Sequence, residues 1–384
     1  MLDFMKNTQL HFIDGSWKGV SETSASTDFK PQLVLAFGST SLIGSPSVYG
    51  DLKGKFPDAT IISASTSGEI IGDSLFDETV VATAIQFEKT TIKAINTNFS
   101  DHSNSFEVGN YLIEQLLADD LAAVFVISDG SYINGSELVS GLNENRPPHV
   151  TVTGGLAGDG ARFQQTLVGL DHTATNGEIV AIGFYGNHIS VGHSSFGGWD
   201  EFGRERIVTK SEKNVLYELD GTNALDLYKE YLGPYLNELP GSALLFPLSV
   251  KIDAESGNLV RTILSINEQE KSMTFAGNLP VGSQVRLMKA NFEKLIDAST
   301  EAASAAIGKK AEMPQLAILI SCVGRKLVLQ ERTSEEVEAA KNIFGDDTTI
   351  TGFYSYGEIS PFSPNTKCEL HNQTMTITTF SEIL

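Results

Sequence analysis

Apolar runs of strand length alternate with amphipathic stretches three times along the chain. Residues 33–70 read LVLAFGST … ATIISASTSGEI, residues 122–160 read AAVFVISDG … HVTVTGGLAGDG, and residues 315–359 read QLAILISCVGR … TTITGFYSYGEI. Each time an apolar strand enters a polar loop, a helix follows, and a second apolar strand ends in a glycine-rich acidic turn. The polar and glycine residues fall at strand ends, where open α/β sheets bind ligands.

The helices are read from spacing and caps. Ser45-Pro46 marks a helix start, since proline suits the first turn. Asn104 with Glu107 resembles a capping box, and Val108, Leu112 and Leu116 make one apolar stripe. Thr333-x-x-Glu336 reads as a second capping box. A helix from about 223 stops at Gly233-Pro234. Another over 291–307 carries Phe292, Leu295, Ser299, Ala303 and Ala306 on one face.

Hairpins are expected at 79–87 with 91–98 and at 178–185 with 188–195, so the halves of 33–200 look duplicated. TMTITTF at 374–380 echoes the first of these strands. Residues 14–30 read as a loose polar lead-in. Between 211 and 290 the pattern breaks into short strands, and Ser256-Gly257-Asn258 and Glu268–Lys271 signal an antiparallel meander. The fold expected is α/β, with mixed sheets built from duplicated β-α-β-β units in two domains, 31–205 and 206–384. Three copies at unequal spacing do not make a solenoid.

Composition narrows the function. The 27 basic and 48 acidic residues leave a formal charge of −21 over 384 residues. That charge repels nucleic acid and anionic lipid. No run reaches the roughly 18 apolar residues that span a bilayer. No secretory signal is visible, and the only two cysteines, Cys322 and Cys368, form no disulfide framework. The expectation is a cytoplasmic protein, without membrane insertion or nucleic-acid partner.

Candidate chemistry gathers at the turns. Glu69, Asp159 and Glu358 each follow a glycine at matching places, and a carboxylate beside backbone amides suits a zwitterion such as a free amino acid. Each acid equally serves as a cap for its own turn. Gly154, Gly155 and Gly158 lie in the glycine block, where a ligand can approach the backbone. Arg325 can pair a ligand carboxylate. Tyr356 sits in an aromatic run suited to lining a pocket.

Cys322 reads as a small buried thiol. Its alternative is a nucleophile helped by His371, in a thiol-dependent enzyme. No catalytic constellation is visible, so an enzyme is not expected. A lone histidine can hold haem without any spacing motif, and His172, His188 and His193 are the candidates. Zinc-protease, P-loop and nucleophile-elbow motifs do not occur.

Several motifs together resemble one family. Gly154-Gly155-x-Ala157-Gly158-Asp159-Gly160 is similar to the glycine block of the FIST N-terminal domain. Leu219-Asp220-Gly221-x-x-Ala224-Leu225-Asp226, Ser321-Cys322-x-Gly324-Arg325, Gly352-Phe353-Tyr354-x-x-Gly357-Glu358-Ile359 and His371-Asn372-x-Thr374 resemble the FIST C-terminal domain. The resemblance spans about residues 30–380. It implies a sensory module for a small ligand, with amino acids suggested, reporting to a separate signalling protein. Some stand-alone bacterial members of similar layout are haem proteins that sense nitric oxide and regulate a histidine kinase.

Overall fold

The computed structural model describes residues 5–22, 29–239, 241–252, 257–308 and 312–383. Its body is three six-stranded mixed sheets, each built on one of the three sequence units. Unit one contributes β1 (Leu33–Gly38), α1 (Pro46–Lys55), β2 (Thr60–Ser65) and β3 (Val80–Gln86). Unit two contributes β4 (Leu121–Ser128), α2 (Gly135–Glu144), β5 (Thr151–Leu156) and β6 (Glu178–Tyr185). Unit three contributes β7 (Leu316–Cys322), α3 (Val323–Leu329), α4 (Thr333–Phe344), β8 (Thr349–Ser355) and β9 (Met375–Glu382). In every unit the two strands joined by helix are parallel, and the third pairs antiparallel with the first.

No unit completes its own sheet. After β2 the chain crosses over, and Glu69–Ile71 pairs with β8 of unit three. After β8, Gly357–Pro361 pairs with β5 of unit two. After β5, Val168–Leu170 pairs with β2 of unit one. The exchange closes into a ring. The inner faces of all three sheets share one apolar core, in which Phe37 meets Phe353 and Phe184 meets Phe380 with ring centroids 4.7 and 4.9 Å apart. Helices cover the outer faces: α1 the first sheet, Ser105–Leu116 with α2 the second, Phe292–Ile307 with α4 the third.

Residues 200–289 form a separate antiparallel sheet with its own core around Leu225, Tyr228 and Phe275. The sheet is antiparallel as expected but not a meander: Gln284–Lys289 pairs with Leu248–Lys251 and Asp200–Glu212 rather than with Ser272–Phe275, and Ser256 of the first expected turn lies outside the described residues. The sheet packs on the body through Trp199, Val260, Leu295 and Val328. The division at 205/206 runs through a body that both halves build, since β7, β8 and β9 come from the C-terminal half.

Several local expectations are corrected. The lead-in holds a hairpin, Lys6–Ile13 with Ser16–Glu22, around Asp14-Gly15 with both φ positive; residues 23–28 lie outside the described residues. Aspartate–glycine between short strands is the turn signal for it.

Neither expected β-hairpin forms, because 80–86 and 91–98 belong to different sheets, as do 178–185 and 189–196. The bend at 88–90 is held open by the Glu382 carboxylate, which accepts from the amides of Glu88, Lys89 and Thr90 at 2.8, 2.9 and 2.6 Å. Asn104 does cap its helix, accepting from Glu107 N. Thr333 does not cap α4, and Phe292 is exposed.

Glu336 serves instead in a fully buried ion pair. Arg325 donates through Nε and Nη2 to Glu336 Oε2 at 3.0 and 2.7 Å, and its other donors reach the carbonyls of Gly197 and Leu295. Ser321 and Tyr354 donate to Glu336 Oε1. Removing one partner of such a pair strands a buried charge, which costs about 3–5 kcal/mol. Arg325→Met should lower stability by that order in urea denaturation, and Arg325→Met with Glu336→Leu should recover part of the loss. A single variant as stable as the parent would refute the assignment.

Candidate functional site

The crossover turns after β2, β5 and β8 pack against one another. Ser67 N donates to Tyr354 O, Gly158 N to Ser65 O, Gly160 N to Thr66 O and Tyr356 N to Leu156 O. Close approach explains the glycines. A Cβ on Gly158 would lie 2.4 Å from Ser67 Oγ, and one on Gly154, whose φ is +148°, would lie 1.9 Å from Val126 O. Gly155 is buried in β5. A Cβ on Gly155 would lie 2.8 Å from the Ile320 side chain, so all three glycines pack against the protein itself.

The acids turn inward as well. Glu69 accepts from Thr66 Oγ1 and from both N and Oγ1 of Thr79. Glu358 accepts from Ser355 Oγ and from both N and Oγ1 of Thr374. These two are true counterparts. Asp159 differs: it pairs with Arg162 and accepts from the amides of Gln164 and Gln165. None of the three is free to hold an ammonium group, and Arg325 is closed off by Glu336. His371 is buried and donates from Nε2 to Ser360 O. The expected ligand roles of Glu69, Glu358, Arg325 and His371 are replaced by internal bonding.

The open hollow lies beside these turns. A cleft of about 660 Å³ separates the body from the antiparallel sheet. Its body wall is made at strand carboxyl ends: 130–135 between β4 and α2, Leu156 after β5, Cys322 to Gly324 at β7–α3, and Tyr356 after β8. The facing wall includes Asn214, Leu244, Thr262, Leu264, Phe275 and Ala276. Of the residues singled out from sequence, Cys322 and Tyr356 line it. The second and third crossover turns reach it, whereas no residue of the first does.

Sequence reasoning missed most of this lining. Asp129 is one available signal: buried after the β4 strand, it accepts from the amides of Ser131, Tyr132 and Gly177 and shapes the 130–132 rim. Asn134 is another. It caps α2 through Oδ1 and donates from Nδ2 to Asn278 Oδ1 of the other wall at 3.1 Å. Lys213 and Glu137 pair across the same seam.

Among the described residues no charged side chain and no histidine lines the cleft. At its rim Phe163 stacks on Tyr356, ring centroids 4.8 Å apart and planes 20° from parallel. Phe163 has φ +53°, a conformation costing a bulky residue about 1–2 kcal/mol. Tyr356 OH accepts from Phe163 N, and Asp159 holds the next two amides. Asp159 thus positions the rim.

A haem held by histidine does not fit this arrangement. His172 Nε2 lies 3.2 Å from Glu178, His188 lies beside Ile383 O, and His193 stands in the Ile189–Phe196 strand. None of them reaches the cleft, and among the described residues no cluster of three metal-binding side chains occurs.

Burial sets the titration of these groups. It pushes Glu69 up to about 7 and Glu358 up to about 8, against the hydrogen bonds that favour their ionised forms. It pushes His371 down to about 4 and the Cys322 thiol well up. A carboxyl raised on folding stabilises fully below its unfolded value near 4.5, and that contribution is lost as pH rises through 7 to 8. Denaturant midpoints should therefore fall between pH 5 and 8.5, and Glu358→Gln should flatten the slope; an unchanged slope would contradict the burial argument. Cys322 should react with iodoacetamide near pH 7.5 far more slowly than a free thiol, as mass spectrometry would show; stoichiometric labelling within minutes would reverse that reading.

Residues 32–222 match the FIST N domain and residues 224–361 match the FIST C domain. No curated protein matches the chain. Among the described residues no helix is long and apolar enough to cross a membrane. FIST domains are sensory domains of signal transduction. With both domains present in order over most of its length, the chain belongs to the FIST family.

Proposed function

We propose that this protein is a cytoplasmic sensor whose small ligand occupies the cleft between the body and the antiparallel sheet, and that it reports to a separate signalling protein. The observation that carries the reading is the position of the hollow. It lies at strand carboxyl ends, the place where α/β sheets bind ligands, and between two parts with separate cores. Its size falls within the usual range for small-molecule sites.

Signalling requires that the ligand favour one arrangement of two. Near the cleft the two walls are linked by Asn134 to Asn278, Ser136 to Asn278, Glu137 to Lys213 and the buried Arg261 to Leu370 O. A ligand touching both walls strengthens the closed arrangement, and the partner reads the change. The lining favours binding over catalysis, since its thiol is held protonated and it carries no acid–base pair. A free amino acid would bring two charges into a cleft that offers no side chain of opposite sign. The acidic surface implied by the −21 charge suits a partner with a basic face, and a histidine kinase is one such signalling protein.

Fractionated cell metabolites and an amino-acid panel test the reading by thermal shift. At least one fraction should raise the melting temperature of the parent by a few degrees. Ala276→Phe, which fills the cleft from the antiparallel wall, should abolish the rise. The cleft is not the site if both proteins shift equally, or if no fraction shifts the parent.

A further inference from the structure

The rim and the depth of the cleft together define a ligand class, on the reading that the cleft is the sensing site. Phe163 is half exposed, at 51%, yet it is held in a conformation that bulky residues rarely adopt. Three bonds hold it: Phe163 N to Tyr356 OH, and the next two amides to Asp159. An observed backbone outlier of this kind, supported from outside, is a mark of function rather than of folding. Its result is a flat pair of stacked rings beside the hollow.

We infer that the ligand is an uncharged, planar ring compound that stacks on the Phe163–Tyr356 pair. Stacking needs a flat face, and walls without charge leave an ionised group without a counter-charge. Two features converge on this: the stacked platform, and a lining in which none of the described residues is charged.

The test uses matched pairs that share a ring and differ in charge: riboflavin with its 5′-phosphate, adenosine with its 5′-phosphate, and nicotinamide with nicotinate. Binding to the full chain is read by calorimetry, and for the flavins also by fluorescence quenching. At least one neutral member should bind, and its charged twin at least tenfold more weakly. Phe163→Ala, which also relieves the backbone, should weaken it at least tenfold.

The inference fails if charged twins bind as well as neutral ones, if Phe163→Ala binds like the parent, or if no ring compound binds at millimolar concentration. A non-ring metabolite that shifts the parent but not Ala276→Phe would overturn the ligand class and leave the cleft as the site. Loss of the Ala276→Phe difference would instead remove the cleft itself.

Discussion

Every sheet of the body depends on a strand lent by another unit. The second parallel strand of each unit finds its outer partner in the segment that leaves a different unit, and the loan runs one to three, three to two and two to one. This constraint explains why three crossover turns lie together and why their glycines are needed. Where three chains cross within hydrogen-bonding distance, side chains have no room. It also places the carboxyl ends of β4, β5, β7 and β8 around a common side, which becomes one wall of the cleft once the antiparallel sheet is laid against it.

Much of the architecture was legible in the sequence. The three strand–helix–strand units, the helix over Phe292–Ile307 and the break after 200 all follow from apolar spacing and caps. The exchange of strands was not. A segment such as TIKAINTN has the same pattern whether it folds back on its neighbour or crosses to another sheet, because periodicity reports the environment of a strand and not its partner. Only the Glu382 carboxylate, far away in the chain, decides that the 88–90 bend opens.

The cleft lies at strand ends, the places to which the sequence draws attention. The charged residues there, Glu69, Glu358 and Arg325, drew attention because ionisable groups near glycines suit ligands. Yet each has its partners inside the protein: Thr66 and Thr79, Ser355 and Thr374, and Glu336. Sequence spacing reveals Thr66-x-x-Glu69 only as a repeat, not as a closed hydrogen-bonded turn. Conversely Phe163 carries no motif, and its place at the cleft rim is set by Tyr356 and Asp159.

The bond from Glu382 to the 88–90 amides has a consequence for synthesis. The donors emerge from the ribosome nearly three hundred residues before their acceptor. The strands on either side do not wait for it: 80–86 lies between Lys6–Ile13 and Leu33–Gly38, both made earlier, and 91–98 pairs with Glu178–Tyr185. The 88–90 amides should therefore be the last part of this bend to gain protection from solvent exchange, and gain it only once residue 382 has been made.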